Sequence, residues 1–242
     1  MTTNSTLTWL WTTNYWLDIT AGPNGDVDQT NQWVAAGGNI LITATESNGY
    51  HFLSWSGDTN GCVIAGSQIT AAMNQPRAIT ANFDINLYDI TATAYVNGAI
   101  SPSGTVWVAH GDSTNFTITA DPNYHVTNVV VDGAGIGPTN EHTFSNITNG
   151  GHTIEAYFGI DQWDLVVDSL YDTPVPDGTN TYDWGTTVTC VVDAVVLNST
   201  TQYVATGWDG TGDVIAGAGT NTSFTMTTNS TLTWLWTTNY WL

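Results

Sequence analysis

Met1–Leu17 reads MTTNSTLTWLWTTNYWL, and Met226–Leu242 reads the same without one difference. Every position of the first copy recurs at an offset of 226 − 1 = 225. A window slightly longer than one period of a tandem array must begin and end on the same segment, whereas a single globular domain has no reason to. In that case Met1 need not be a start codon, since its twin Met226 stands in mid-chain after Phe224 and Thr225.

The duplicated segment contains Leu7-Thr8-Trp9-Leu10-Trp11, whose odd positions share one face if the backbone is extended. Working outward, the period holds three segments of one plan, each close to a third of it. Each opens on an alternating run: Leu17-Asp18-Ile19-Thr20-Ala21, Ile90-Thr91-Ala92-Thr93-Ala94, and Leu165-Val166-Val167. Each passes a Gly/Pro/Asn turn, an aromatic, and a second alternating run (Ile40–Ala44, Phe116–Ala120, Val188–Val192). A tyrosine (Tyr50, Tyr124, Tyr203) then introduces a glycine-rich hairpin, and a last run closes the segment: Ala78–Phe83, His152–Phe158, Leu232–Trp236. Period-two alternation of Thr with β-branched residues, cut by Gly, Pro and Asn, predicts half-buried antiparallel strands, and nothing keeps a helical period. The fold class is therefore all-β, a tandem array of three small modules joined end to end by short linkers. The expected boundaries are 14–86, 87–160 and 161–238. Residues 1–13 are read as the closing strand of a preceding module, and 239–242 as the start of the next.

The turn from Gly98 to Gly104, the run Ala120 to Val126 with Tyr124-His125, Trp55-Ser56-Gly57-Asp58 and Gly207-Trp208-Asp209-Gly210-Thr211-Gly212 resemble the divergent B-repeat modules of bacterial surface proteins, the internalin-type Listeria–Bacteroides repeats. The resemblance spans 15–242 and is strongest over 98–159. It implies β-sandwich or β-grasp-like modules without known catalysis, on a cell surface or outside the cell. Cys62 departs from the pattern, lacking the partner cysteine often seen in that loop.

Arg77 is the one basic side chain against 21 acidic ones, a net charge of −20 with no lysine. Such a chain repels nucleic acid and anionic membranes and attracts cations. It cannot form isopeptide bonds through a lysine amine, and it offers trypsin one cut. With 41% hydrophobic residues and 12 Trp, it is nevertheless built to bury a core rather than to remain disordered. No apolar run is long enough to span a bilayer, so no membrane insertion is expected, and no signal peptide is visible. Cys190 shares a face with Val188 and Val192 and reads as a buried thiol. Cys62 lies in a Gly/Asn loop and reads as exposed, with nothing local to pair the two.

The candidate sites are architectural. Trp9, Trp11, Trp16, Phe83, Tyr88, Phe158, Trp163, Trp234, Trp236 and Trp241 are expected in core or inter-module packing, with an exposed glycan platform as the alternative. Turn aspartates should cap backbone. Asp26 and Asp28, and Asp209 and Asp213, place oxygens at alternate positions as calcium loops do, but without a closing bidentate Glu. No other cofactor is expected. His51 and His125 share a module position and read as scaffold; His110, His142 and His152 are scattered. Asn4, Asn115, Asn146, Asn198, Asn221 and Asn229 head Asn-x-Ser/Thr triplets open to glycosylation.

These observations point to a structural repeat of an extracellular filament, fibre or surface stalk without catalytic activity. An adhesin binding surface glycans is the alternative. The partner is the protein itself, in a covalent array or in a polymer of chains that exchange a terminal strand. Linkers of a few residues, such as Asp84–Leu87 and Gly159–Gln162, predict a stiff rod.

Overall fold

The computed structural model describes residues 3–240, and among them there is no helix. Each repeat folds into eight strands. The first has β1 (Asn14–Ala21), β2 (Gly25–Val27), β3 (Gln32–Ala35), β4 (Asn39–Glu46), β5 (Tyr50–Gly57), β6 (Val63–Ala65), β7 (Gln68–Ala72) and β8 (Arg77–Ile85). The second has β9 (Leu87–Ala94), β10 (Gly98–Ser101), β11 (Gly104–Ala109), β12 (Thr114–Ala120), β13 (Tyr124–Val131), β14 (Ala134–Gly137), β15 (Glu141–Phe144) and β16 (His152–Ile160). The third has β17 (Gln162–Asp168), β18 (Gly178–Asp183), β19 (Thr187–Val191), β20 (Val195–Asn198), β21 (Thr201–Thr211), β22 (Gly217–Ala218), β23 (Asn221–Thr225) and β24 (Ser230–Tyr240).

The first repeat shows how the alternation is used. Its strands form two four-stranded sheets, ordered β3-β1-β8-β5 and β2-β4-β7-β6. The opening strand β1 and the closing strand β8 lie parallel, Leu17 opposite Arg77 and Ile19 opposite Ile79. Leu17, Ile19, Ile79 and Ala81 face inward from the first sheet, and Ile42, Ala44, Ile69 and Ala71 from the second. Val34, Trp55 and Met73 complete that core. Glycine opens β2 for a steric reason: a Cβ on Gly25 would stand 2.2 Å from the tip of the Phe83 ring. In the second repeat Gly98 lies equally close under Phe158. The turn glycines and the closing-strand aromatics are thus one packing device.

The described residues divide into two compact units whose border runs through the second repeat. One holds the chain up to Ala92 with Pro102–Phe116 and Glu141–Thr153; the other holds Thr93–Ser101, Thr117–Asn140 and everything from Ile154. In the first unit β9 pairs antiparallel with β11 over Leu87–Ala92, and Phe116 meets Phe144 edge-on at 5.9 Å. In the second unit β13 pairs with β16 and β14, and β10 pairs with β12. The third repeat, also in that unit, has a core of Leu165, Val167, Val188, Cys190, Trp208, Val214, Met226, Leu232 and Trp234. The hairpin strand pairs with the closing strand through a register shift at one place in all three repeats, Phe52/Ser54, Val126/Asn128 and Ala205/Gly207.

Three findings refine the expectations. Arg77, the expected trypsin site, is 2% exposed. Its guanidinium donates to the carbonyls of Ala72 (2.7 Å), Asp58 (2.7 Å) and Asn60 (2.8 Å) and to Asn74 Oδ1 (2.9 Å), so the one basic side chain ties two loops together. Cys190 is fully buried, as its alternation implied, whereas Cys62 is half-buried rather than exposed, and both are free thiols. Residues 3–13 take no strand conformation. The identical sequence at the other end does, as β24.

Candidate functional site

The features that recur and join repeats are the single residues between closing and opening strands. In the first unit β8 ends at Ile85 and β9 begins at Leu87, leaving Asn86 alone. Its N–H donates to the Gly49 carbonyl at 2.9 Å, in the preceding repeat, and its own carbonyl accepts from the His110 N–H at 2.9 Å, in the following one. Its side chain is also held. His51 Nδ1 lies 2.9 Å from Asn86 Oδ1, and Asn86 Nδ2 donates to the Tyr50 carbonyl at 3.5 Å. The amide nitrogen being the donor there, Oδ1 accepts and His51 Nδ1 carries the proton.

His110 completes this joint. Its ring lies 5.8 Å from that of Tyr88, with Nδ1 3.3 Å from the phenol oxygen. Its Nε2 is 3.4 Å from Asn48 Nδ2. Since the Asn48 amide nitrogen can only donate, Nε2 accepts, and Nδ1–H donates to Tyr88. The ring sits directly over Gly49, which has φ +82° and where a Cβ would fall 2.1 Å from His110 Cδ2.

The joint in the second unit repeats this plan with one change of chemistry. Asp161 stands alone between β16 and β17. Its N–H donates to the Asn123 carbonyl (2.9 Å) and its carbonyl accepts from the Trp184 N–H (2.8 Å). His125 Nδ1 donates to Asp161 Oδ1 at 2.9 Å. An amide at the first joint is a carboxylate here, so the same clamp becomes an ion pair when His125 is protonated. At the head of the first repeat, the Thr13 carbonyl accepts from the Ala36 N–H at 2.8 Å.

The first and second repeats, residues 15–87 and 88–162, match the divergent InlB B-repeat domain, more than half of the chain. The chain belongs to that family. No curated protein and no solved structure matches it. B-repeat domains are typical of bacterial surface proteins. The third repeat lies beyond the matched domains and shares the register shift; its turn strand is reduced to the Val175–Val191 bridge, and β20 is added beside β21.

The aromatic candidates divide between packed and exposed positions. Tyr88 belongs to the first joint. Phe83 packs against the core of its own repeat, 6.1 Å from Phe52, and Phe158 covers Gly98 within the second. Trp163 and Trp236 pack against the core of the third repeat, and Trp234 is part of it. Trp236 Nε1 also donates to Ser169 Oγ at 3.2 Å. Trp16 and Trp33 pair across β1 and β3 with ring centres 5.3 Å apart, 37% and 68% exposed. Trp9 and Trp11, expected in core or inter-module packing, are instead 75% and 90% exposed, because among the described residues no strand pairs with 5–13 to cover them. Trp241 lies outside the described residues.

The aspartates spend oxygens on backbone. Asp26 Oδ1 accepts from Val27 N–H and Asp28 Oδ1 from Thr43 N–H, both at 2.8 Å. Asp209 Oδ1 accepts from Gly210 N–H. Asp213 accepts from Thr227 N–H and Oγ1–H and from Thr228 N–H. Burial pushes the Asp213 carboxyl up, but the Thr227, Thr228 and Ser230 bonds together outweigh it and hold it below the usual carboxylate range. Among the described residues, no three His, Cys, Asp or Glu side chains gather as a metal site. Asn4, Asn115, Asn146, Asn198, Asn221 and Asn229 are all exposed.

Sequence reasoning placed His51 and His125 in one module position but missed what they hold. The usable signal was that each follows the module tyrosine and that Asn86 and Asp161 lie 35 and 36 residues on. His110 carried no such signal, because its partners Asn48 and Gly49 come from a different repeat.

Proposed function

We propose that this chain is a structural repeat of an extracellular filament, fibre or surface stalk, without catalytic activity, whose modules are joined by clamped rather than flexible linkers. The observation that carries this is the double attachment of each linker residue. Asn86 and Asp161 each bond through N–H to the preceding repeat and through C=O to the following one. A Gly/Ser tether has no such bonds and samples many directions; a residue bonded on both sides cannot turn without breaking at least one. Membership of a surface-protein repeat family supports the location, and the exact duplication of 1–17 at 226–242 supports a covalent array. Within it, module boundaries near 86/87 and 160/161 follow the lone linker residues.

Small-angle scattering of the chain, alone and with Asn86→Gly plus Asp161→Gly, tests this. A rod-like profile that the double variant broadens supports the proposal. A flexible-bead profile already in the unsubstituted chain refutes it. Denaturing electrophoresis of the native source tests the array: a band at the mass of one such chain, 25.9 kDa, contradicts it.

The adhesin reading is favoured by one observation, the exposed Trp16–Trp33 pair together with Trp107, itself 63% exposed. Tryptophan faces stack on sugar rings. Quenching of tryptophan fluorescence by oligosaccharides, lost in Trp33→Ala, would support it.

A further inference from the structure

The third repeat reaches past the point where the other two stop. In the first two, the ladder between hairpin strand and closing strand ends with Tyr50 opposite Ile85 and Tyr124 opposite Ile160. In the third, the equivalent pair is Tyr203 with Thr238, and the ladder runs on through Gln202 opposite Asn239 to Thr201 opposite Tyr240. An insertion builds this extension. Between the second alternating run and the module tyrosine stand 50 − 44 − 1 = 5 residues in the first repeat, 124 − 120 − 1 = 3 in the second and 203 − 192 − 1 = 10 in the third. The added residues include β20, which pairs with β21 over Thr201–Val204 and has no counterpart in the other repeats.

The joint that follows is also built differently. Phe83 to Ile90 spans 90 − 83 = 7 residues and Phe158 to Leu165 spans 165 − 158 = 7, but Trp236 to Leu242, the twin of Leu17, spans 242 − 236 = 6. The lone linker residue is gone, and β24 runs unbroken from Ser230 to Tyr240. The clamping histidine is gone as well: Val204 follows Tyr203 as His51 follows Tyr50 and His125 follows Tyr124.

Asn239 and Tyr240 are the twins of Asn14 and Tyr15, which open β1 and pair with Ala35 and Val34 of β3. The same two residues thus have β21 beside them in one copy and β3 in the other. Both neighbours fit one strand only on opposite edges, and the bonds agree with that. In an antiparallel ladder successive residues turn their N–H and C=O to opposite edges. The place of Asn86, which donates to the Gly49 carbonyl, is taken here by Asn239 opposite Gln202. Thr238 therefore turns its carbonyl away from β21, and its twin Thr13 gives that carbonyl to the Ala36 N–H at the end of β3. Tyr240 is 75% exposed, whereas Tyr15 packs against the core of the first repeat.

We propose that the β20–β21 hairpin is a seat for the first repeat of the following period. There β24 and the next β1 form one strand, with β21 along one edge and the next β3 along the other. The seat selects a first repeat, because only that head arrives without a linker residue and opens directly as strand. This rests on the covalent-array reading above, and it makes every third joint a ladder of backbone bonds where the others have one clamped residue.

The test uses a chain of two periods, residues 1–242 followed directly by a second copy of 18–242. Such a chain carries Arg77 twice, in the head repeat and in the inner first repeat, and the two trypsin cuts give fragments of different length. Arg77 is 2% exposed, so each cut reports the opening of its own repeat. The extra backbone pairs hold the opening strand of the inner repeat, and its site should be cut about tenfold more slowly than the head site. Replacing Asp193–Gln202 by Asp-Pro-Asn, the turn that stands at Asp121–Asn123, removes the seat and should abolish most of that difference. Thr201→Pro, which breaks the ladder at the head of β21, should reduce it. Slow labelling of Cys190, 0% exposed in the third core, confirms in each variant that this repeat is folded; if the excision opens it, Thr201→Pro decides. Equal rates at the two sites of the unsubstituted chain overturn the proposal, and so does a difference that survives in a folded variant. Failure of the array reading shows separately, as the 25.9 kDa band on electrophoresis.

Discussion

The first joint is most sharply tested at Gly49. Its φ of +82° lies where an L side chain costs about 1–2 kcal/mol. A Cβ there would also stand 2.1 Å from His110 Cδ2 and 2.5 Å from Cγ, so the ring must leave. Leaving breaks the contacts to Tyr88 and Asn48, worth roughly 0.5–1.5 kcal/mol each. Gly49→Ala is therefore expected to destabilise the first unit by about 2–5 kcal/mol. In a His110→Ala background the ring is already gone, and only the backbone part of about 1–2 kcal/mol remains. The two substitutions should thus couple by about 1–3 kcal/mol, well above the scatter between independent sites. Urea titrations of the four proteins measure this, with trypsin cleavage after Arg77 as the local probe. Arg77 is the one Lys or Arg in the chain and is buried in the first unit. If Gly49→Ala costs as much without His110 as with it, the ring does not sit on the joint as described.

Other outcomes follow from single sites. Native chain should resist trypsin, with cleavage appearing only as the first repeat opens, because Arg77 is hidden within its hydrogen bonds; electrophoresis of timed digests checks this. Arg77→Met should cost about 2–4 kcal/mol in thermal or urea unfolding, since it leaves four oxygens without their donor. Cys62 should react with a thiol reagent well before Cys190, whose thiol burial pushes up to about 11; mass spectrometry after partial labelling separates them. Asp213 titrates lower in the folded state than in the unfolded one, so its contribution is fully present above the unfolded carboxyl range. That contribution is lost as pH falls through the lower folded value. Asp213→Asn should therefore flatten that part of the acid unfolding curve and lower stability at pH 7.

Much of the fold was legible because it depends on short-range pattern. Leu17 and Ile19, Ile42 and Ala44, and Val188 and Cys190 alternate as the core requires, and each pair is buried. The aspartates read as backbone caps do cap backbone, Asp26 and Asp209 on the next residue and Asp28 and Asp213 on segments 14–15 residues away. The joints were legible only in part. The shortness of the linkers showed in the sequence. What grips them did not, since Gly49 meets His110 and Asn123 meets Asp161 only after separate strands have paired. The burial of Arg77 was not legible for a similar reason: only the closing of two loops around it supplies carbonyls enough to bury it.

The duplicated segment draws the line most clearly. By itself the sequence determined that MTTNSTLTWLWTTNYWL can be a strand with one apolar face, that it recurs from Met226, and that the period divides into three like segments. Only the tertiary structure decided which copy is a strand. A helix satisfies its backbone within its own residues, but a β-strand borrows its hydrogen bonds and its buried face from neighbours. Residues 230–238 have β17 and β21 beside them and lose Leu232 and Trp234 from water; among the described residues nothing stands so beside 5–13, where Leu7 and Trp9 are exposed.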